Sequence, residues 1–301
     1  MQHRAGDRFA LEADLRRAID EHQFEVHYQP VVDLDTGRID GAEALLRWNH
    51  PDRGPVSPVE FIPVAEASGL VVEIGDWVLA TALDAAASWP GQLHVAVNVA
   101  PRQLEEPDFV SRVVGLLASS GLAPERLTIE ITEGQLLEDV ADAVERLQQL
   151  RSIGIRVAMD DFGTGFSSLS YLDRLPIDIL KIDRAFVSEL GTPEDRGVVT
   201  AIIDLARRLG MTTIAEGAEH AAQVRHLHRL GADRVQGYVY ARPMPDSDLR
   251  ALILDPAPIQ ATFAEVVAGD VGPLVREADR GADGGPARFD VVVHSPERSF
   301  A

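Results

Sequence analysis

The chain has 301 residues, 46% of them hydrophobic, which suits one large α/β domain or two small ones around an ordinary globular core. No apolar run is long enough to span a bilayer, no signal peptide opens the chain, and the absence of cysteine excludes disulfides, zinc–thiolate sites and thiol nucleophiles, which fits a cytoplasmic location. A formal net charge of −20 repels duplex nucleic acid and anionic membrane; it leaves room for a small phosphate-bearing ligand only where metal ions or a local arginine offset the repulsion.

Residues 1–10 are polar and expected to be loose. From 11 to 22, Leu11, Leu15, Ala18 and Ile19 share one helical face. Glu25 to Val32 reads as a strand, and Pro30 within it points to an edge or a bulge. After the turn Asp35-Thr36-Gly37, Gly41 to Trp48 reads as a strand with one acid, Glu43, in apolar surroundings. Helices are predicted near 58–68 and 70–88, the second stopping before Pro90-Gly91. A βα rhythm follows. Strands are predicted at 94–99, 127–133, 156–161, 177–183, 212–217 and 234–240. Helices fall near 107–119, 135–152, 194–209 and 219–230, closing at Gly121, Gly154, Gly210 and Gly231. A helix near 246–254 completes the series. Beyond it, 255–258 reads as a linker, 260–280 as a further helix, and 288–293 as a strand or a disordered tail with no assigned role.

Strand–helix alternation of this kind means βα units and a mainly parallel sheet. About eight strands over roughly 230 residues match the scale of a (β/α)8 TIM-like barrel. A doubly wound sheet would want a glycine-rich phosphate loop after its first strand, and none is there. The expected organisation is a polar segment at 1–10, a barrel with an irregular first strand at 11–254, and a C-terminal extension at 255–301. Glu43, Asn98, Glu130, Asp160, Asp161, Lys181, Glu216 and Gln236 all lie within or at the ends of apolar strands. In a barrel the C-terminal strand ends share one mouth, so these residues are expected to converge.

The sharpest stretch is Arg156 to Gly165, a short apolar run ending in Asp160-Asp161 and then Phe162-Gly163-Thr164-Gly165. Adjacent carboxylates repel one another, and a divalent cation would relieve both the repulsion and the burial. The alternative is that one aspartate caps a helix or makes an Asx turn. Oxygen ligands without thiolate suit Mg²⁺ or Mn²⁺, or Ca²⁺. Two ions sharing Asp160 would use the surplus acids and suit phosphoester hydrolysis. Ca²⁺, with longer bonds and looser geometry, is expected to bind and inhibit. Lys181 would orient the attacking water or offset charge, unless it is simply a buried salt bridge to Asp183 or one of the acids.

From residue 8 to residue 254 the chain resembles the EAL domain family, the cyclic-di-GMP-specific phosphodiesterases. The resemblance rests on Tyr28-Gln29-Pro30, Glu43-Ala44-Leu45-Leu46-Arg47-Trp48, Asn98-Val99, Glu130-Ile131-Thr132-Glu133 and Asp160 to Gly165. It continues in Leu180-Lys181-Ile182-Asp183, Glu216-Gly217-Ala218-Glu219 and Gln236-Gly237-Tyr238. It implies hydrolysis of cyclic di-GMP to linear pGpG. It implies Glu43, Asn98, Glu130 and Asp160 on one metal ion and Asp160, Asp161 and Glu216 on a second. It implies catalytic roles for Lys181, Glu216 and Glu43, and substrate contacts from Gln29, Leu45, Arg47, Asp183 and Gln236. Glu133 is implied to steady the loop containing Gly163, Thr164 and Gly165, with Glu219 beside it, and that loop is tied to homodimer contacts. A sensor or diguanylate cyclase domain in a longer parent protein is also implied. The departures are Ala218 for a common valine, Ala100 for a frequent serine, and Arg242 for a frequent lysine; none is a matched ligand. A catalytically inactive receptor for the same dinucleotide, or a scaffold without either function, should have lost a ligand, and here every one is present.

Overall fold

The structure, a computed structural model, describes residues 2–132, 140–163, 172 and 175–268. Of its nine strands, β3 (Gly54–Val56) pairs only with β2 (Ile39–His50). The other eight close into a barrel: β1 (Phe24–Asp33), β2, β4 (His94–Asn98), β5 (Leu127–Thr132), β6 (Arg156–Phe162), β7 (Ile179–Ile182), β8 (Thr212–Ala215) and β9 (Arg234–Gln236). From β2 through β4 to β9 the neighbours are parallel, whereas β1 runs antiparallel to both β2 and β9. The irregular first strand is therefore a reversed one, with a register shift at Val31/Val32 directly after Pro30.

The helices outside the barrel follow the expected order: α1 (Gln2–Asp20), α2 (Pro58–Ser68), α3 (Leu70–Ala87), α4 (Pro101–Glu105), α5 (Phe109–Ser120), α6 (Val140–Ser152), α7 (Arg184–Glu189), α8 (Val198–Leu209), α9 (Ala221–Leu230), α10 (Asp246–Leu254) and α11 (Ala257–Ala268). Several boundaries differ from the sequence reading. Helix α1 begins at Gln2 rather than at 11, since no proline interrupts 2–20. Short helices α4 and α7 and strand β3 were not expected; a single turn shows no periodicity to read. Helix α8 starts at Val198 because the preceding residues are spent in turns that Asp195 ties to the backbone N–H groups of Gly191 and Gly197. The expected linker shrinks to Asp255-Pro256, with α11 following directly. Residues 288–293 and most of 260–280 lie outside the described residues.

Side chains alternate across each strand, so outward residues such as Val95, Val97, Ile129, Ile131, Val157 and Leu180 are buried under the helices. Inside the barrel the layers differ in chemistry. At the closed end Arg234 Nε meets Asp40 Oδ2 at 2.8 Å. A middle layer is apolar: Val31, Ala158, Ile179 and Ile214. The layer above it, at the C-terminal ends of the parallel strands, is polar. Strand β2 is held at its outer end by Trp48, which packs edge-on against Phe61 at 5.4 Å and donates from Nε1 to Gln23 Oε1. No single helix among the described residues is long and apolar enough to cross a membrane; the bent pair α10–α11 passes that test only by length and composition, and Leu249, Ile259 and Val266 of that pair are buried.

Candidate active site

Strand register brings the polar layer together. Gln29 faces Glu43 across β1–β2, Asn98 faces Glu130 across β4–β5, and Thr132 faces Asp160 across β5–β6. Lys181 sits at the centre, 1% exposed. Its Nζ lies 2.6 Å from Glu216 Oε1, 2.7 Å from Glu130 Oε2, 3.2 Å from Asp160 Oδ1 and 3.6 Å from Glu43 Oε2. Glu43 is fixed from the other side: Asn98 Nδ2 donates to Oε1 at 2.6 Å and Gln236 Nε2 to Oε2 at 2.7 Å. Gln236 Nε2 also reaches Gln29 Oε1, and Gln29 donates on to the carbonyl of Ala241.

One ammonium cannot neutralise this many buried carboxylates, and the proton equilibria show it. Burial alone would discharge Lys181, but Glu130, Glu216, Glu43 and Asp160 outweigh it and hold the ammonium well above its ordinary pKa. Burial pushes Glu130 well above the carboxylate range against the pull of Lys181, and pushes Glu216 up to about 8. Glu43 moves down instead: Lys181 and the hydrogen bonds from Gln236 and Asn98 overcome its burial. Asp161 is raised to about 6 by burial, with Asp160 and Asp183 adding to it.

Adjacent residues in a regular strand point to opposite faces, so Asp160 and Asp161 need a device to serve one site. The register between β6 and β7 shifts between Met159 and Phe162, and Asp161 takes a left-handed φ of 54°. Its N–H donates to Asp160 Oδ1 at 3.0 Å. This irregularity turns both carboxylates toward the mouth, and a non-glycine residue held there is the kind of strain found at functional sites. Two groups of three carboxylates result, Glu43 with Glu130 and Asp160, and Asp160 with Asp161 and Glu216, the ligand oxygens of each group lying within 4.8 Å of one another. Asp160 belongs to both. Glu130 Oε1 is buried without a hydrogen-bond partner among the described residues. An orphaned carboxyl oxygen in an all-oxygen donor set fits a hard divalent cation.

Beside these groups lies a cavity of about 250 Å³. Gln29, Glu43, Leu45, Asp160, Glu216, Gly217 and Gln236 line it. Arg184, Glu219, Gly237 and Tyr238 also line it. Tyr238 is 45% exposed, and the Arg242 guanidinium stacks 4.2 Å from its ring centre.

The EAL domain family model matches residues 12–243. The chain belongs to the EAL domain family. Among its relatives, the bifunctional diguanylate cyclase/cyclic di-GMP phosphodiesterase MucR of Pseudomonas aeruginosa is 41% identical over 258 residues, 84% of this chain and 38% of MucR. The cyclic di-GMP phosphodiesterase NbdA of the same organism is 38% identical over 264 residues, 85% of this chain and 34% of NbdA. The solved structure of the PaMucR phosphodiesterase in complex with c-di-GMP aligns with a TM-score of 0.76 at 41% identity, covering 80% of this chain and 99% of that chain. The chain spans about a third of the length of the curated relatives it matches.

Within this EAL domain the residues singled out from the sequence separate into three sets. Glu43, Asn98, Glu130, Asp160, Asp161, Lys181, Glu216, Gln29 and Gln236 come together as described, and Leu45 and Glu219 line the cavity beside them. Arg47 and Asp183 flank the cavity without lining it: the Arg47 charge acts on Glu43, and the Asp183 carboxyl acts on that of Asp161. Arg47 is half-buried and donates to the carbonyl of Leu46 at 2.9 Å, while Asp183 caps α7 by accepting from the N–H of Ala185. Glu133, Thr164 and Gly165 lie outside the described residues; Gly163 is the last described residue before that loop, with φ 94°. The sequence reading missed Arg184 and Tyr238 as site residues. Their only signal was position, one following Lys181-Ile182-Asp183 and the other Gln236-Gly237.

Proposed function

We propose that this EAL domain is a divalent-cation-dependent phosphodiesterase that hydrolyses cyclic di-GMP to linear pGpG. The observation that supports it most is the pair of carboxylate groups sharing Asp160 around one buried lysine, at the edge of a cavity. Glu43, Asn98, Glu130 and Asp160 would hold one Mg²⁺ or Mn²⁺, and Asp160, Asp161 and Glu216 another. Two such ions supply Lewis-acid activation of water and charge stabilisation on the departing oxygen. In the reaction a water oxygen bonds to phosphorus, the bond from phosphorus to the ribose 3′ oxygen breaks, and the 3′ oxygen takes up the proton the water gives up and leaves as a hydroxyl.

The chain's own groups do the rest. Lys181 Nζ lies within hydrogen-bond distance of carboxylates from both groups, so it is placed to donate to the attacking water and hold its lone pair toward phosphorus. Gln236 braces Glu43 with its amide N–H and keeps its own carbonyl Oε1, buried and without a partner among the described residues, as an acceptor for substrate. The cavity of about 250 Å³ lies just below the usual small-molecule range of about 300–1,000 Å³, so part of the dinucleotide would extend beyond it.

An inactive receptor would have lost one of these groups, and none is lost. The domain is proposed to work in the cytoplasm as a homodimer, within a longer protein carrying an input or cyclase domain; the relative MucR is named as both a diguanylate cyclase and a cyclic di-GMP phosphodiesterase. Incubation with cyclic di-GMP and Mg²⁺ or Mn²⁺, followed by chromatography, should give pGpG, and chelation should stop it while the circular dichroism of the barrel persists. Binding without product in the presence of either ion would favour the receptor.

A further inference from the structure

We propose that Arg184 is a substrate-contacting residue that binds the second, non-reacting phosphodiester of the cyclic dinucleotide. This rests on the hydrolase reading above and adds a residue that neither the motifs nor the family resemblance assigned.

Position comes first. Arg184 opens α7 directly after the β7 strand that carries Lys181, and it lines the cavity. Its stem lies across Gly217. A Cβ at Gly217 would stand 2.5 Å from Arg184 Cβ, 2.6 Å from Cγ and 2.9 Å from Cδ. Gly217 itself has a φ of 67°, which side chains rarely adopt. The missing side chain next to Glu216 is thus the space that lets the arginine lie over the rim.

Charge comes second. Arg184 is the positively charged residue among the described residues lining the cavity. Of the other nearby cations, Lys181 is held by four carboxylates and Arg242 lies over the Tyr238 ring, while Arg47 gives one N–H to the carbonyl of Leu46 and does not line the cavity. Arg184 makes no ion pair or side-chain hydrogen bond among the described residues and is exposed at the rim. A cyclic dinucleotide carries two phosphodiesters. The one being cleaved would lie over the carboxylate groups that would hold the cations. The other enters a chain of net charge −20 and needs a positive partner of its own. A guanidinium offers paired N–H donors that match two phosphate oxygens.

The test uses the whole chain with Mg²⁺ or Mn²⁺ and two substrates, cyclic di-GMP and bis(p-nitrophenyl) phosphate, which has a single phosphodiester. Arg184→Ala should raise the KM for cyclic di-GMP about tenfold with kcat within about twofold, and Arg184→Lys should recover part of the loss. The single-phosphodiester substrate should lose several-fold less in kcat/KM than cyclic di-GMP, because it has no second phosphate to miss the arginine. An unchanged KM for cyclic di-GMP, or an equal loss on both substrates, overturns the inference. Calorimetry separates this from failure of the hydrolase reading. A wild-type chain that binds cyclic di-GMP without cleaving it sinks the hydrolase reading, and the effect of Arg184→Ala on Kd then decides the arginine alone. A wild-type chain that does not bind the dinucleotide overturns both.

Discussion

Replacing Lys181 with methionine should destabilise the metal-free protein far more than the metal-bound one. Methionine keeps most of the side-chain volume, so the perturbation is the loss of one buried positive charge. Lys181 is 1% exposed and has four carboxylates within 3.6 Å. Breaking a buried ion pair by removing one partner costs about 3–5 kcal/mol. Protonation softens the loss: Glu216 is raised to about 8 and Glu130 well above its ordinary range, so at pH 7 part of the cluster already carries protons. The lower end, about 3 kcal/mol, is therefore expected at neutral pH, and more at pH 9, where those protons are harder to keep. For a domain of this size about 3 kcal/mol lowers Tm by about 6–12 °C. The assay is thermal unfolding of both proteins in chelator and in saturating Mg²⁺, at pH 7 and pH 9. The gap should widen from pH 7 to pH 9 in chelator. Mg²⁺ should raise the variant's Tm by more than it raises that of the wild type, because bound cations replace the missing charge. A variant as stable as wild type in chelator at both pH values would refute the reasoning, since the ammonium would then not be holding the carboxylates together.

Asp160→Ala should lose at least as much turnover as Glu43→Ala, because Asp160 belongs to both carboxylate groups and Glu43 to one; a Glu43 variant that is consistently the more impaired would count against a shared Asp160. Ca²⁺ should compete with Mg²⁺ and inhibit while the dinucleotide still binds, since it prefers oxygens at about 2.3–2.6 Å rather than about 2.0–2.1 Å; full turnover with Ca²⁺ as the only divalent ion contradicts this. In chelator, stability should fall as pH rises from 6.5 to 8, above the range where buried His94, held down to about 4, acts in the opposite direction. Glu216 is raised from 4.5 to about 8, so its contribution is complete below 4.5 and disappears as pH passes its folded value, while Asp161, raised from 3.8 to about 6, acts in the same direction. Lys181, shifted upward from 10.5, and Glu43, shifted downward from 4.5, change charge outside that window. Saturating Mg²⁺ should flatten the profile because it binds the deprotonated carboxylates; a Tm that is flat in chelator would show that the protons are not bound.

Much of this was legible along the chain because the signals were local. The βα rhythm is written in apolar runs and terminal glycines; Gly121, Gly210 and Gly231 do end α5, α8 and α9 in left-handed conformations. Isolated acids inside apolar strands marked the mouth of the barrel, since a carboxylate interrupts such a run only at some cost. Boundaries were less legible where backbone geometry ended an element before its apolar residues ran out. Strand β8 stops at Ala215, ahead of the turn at Gly217, and β9 stops at Gln236, where Gly237 approaches the backbone of Ala218.

The sequence by itself determined the main strands and helices of the barrel and the polar residues inside it, because a strand's alternation and a helix's caps depend on neighbours a few positions away. Only the tertiary structure decided how those side chains meet. It reversed β1 so that Gln29 faces Glu43, placed Lys181 between carboxylates from β2, β5, β6 and the end of β8, and used a backbone irregularity at Asp161 to turn two adjacent acids toward one site. It also laid Arg184 over Gly217, a contact between residues 33 positions apart that no local pattern records. The physical reason is the same in each case. Charge and hydrogen-bond partners act through distances of a few ångströms in space, and closing the barrel sets those distances between segments far apart along the chain.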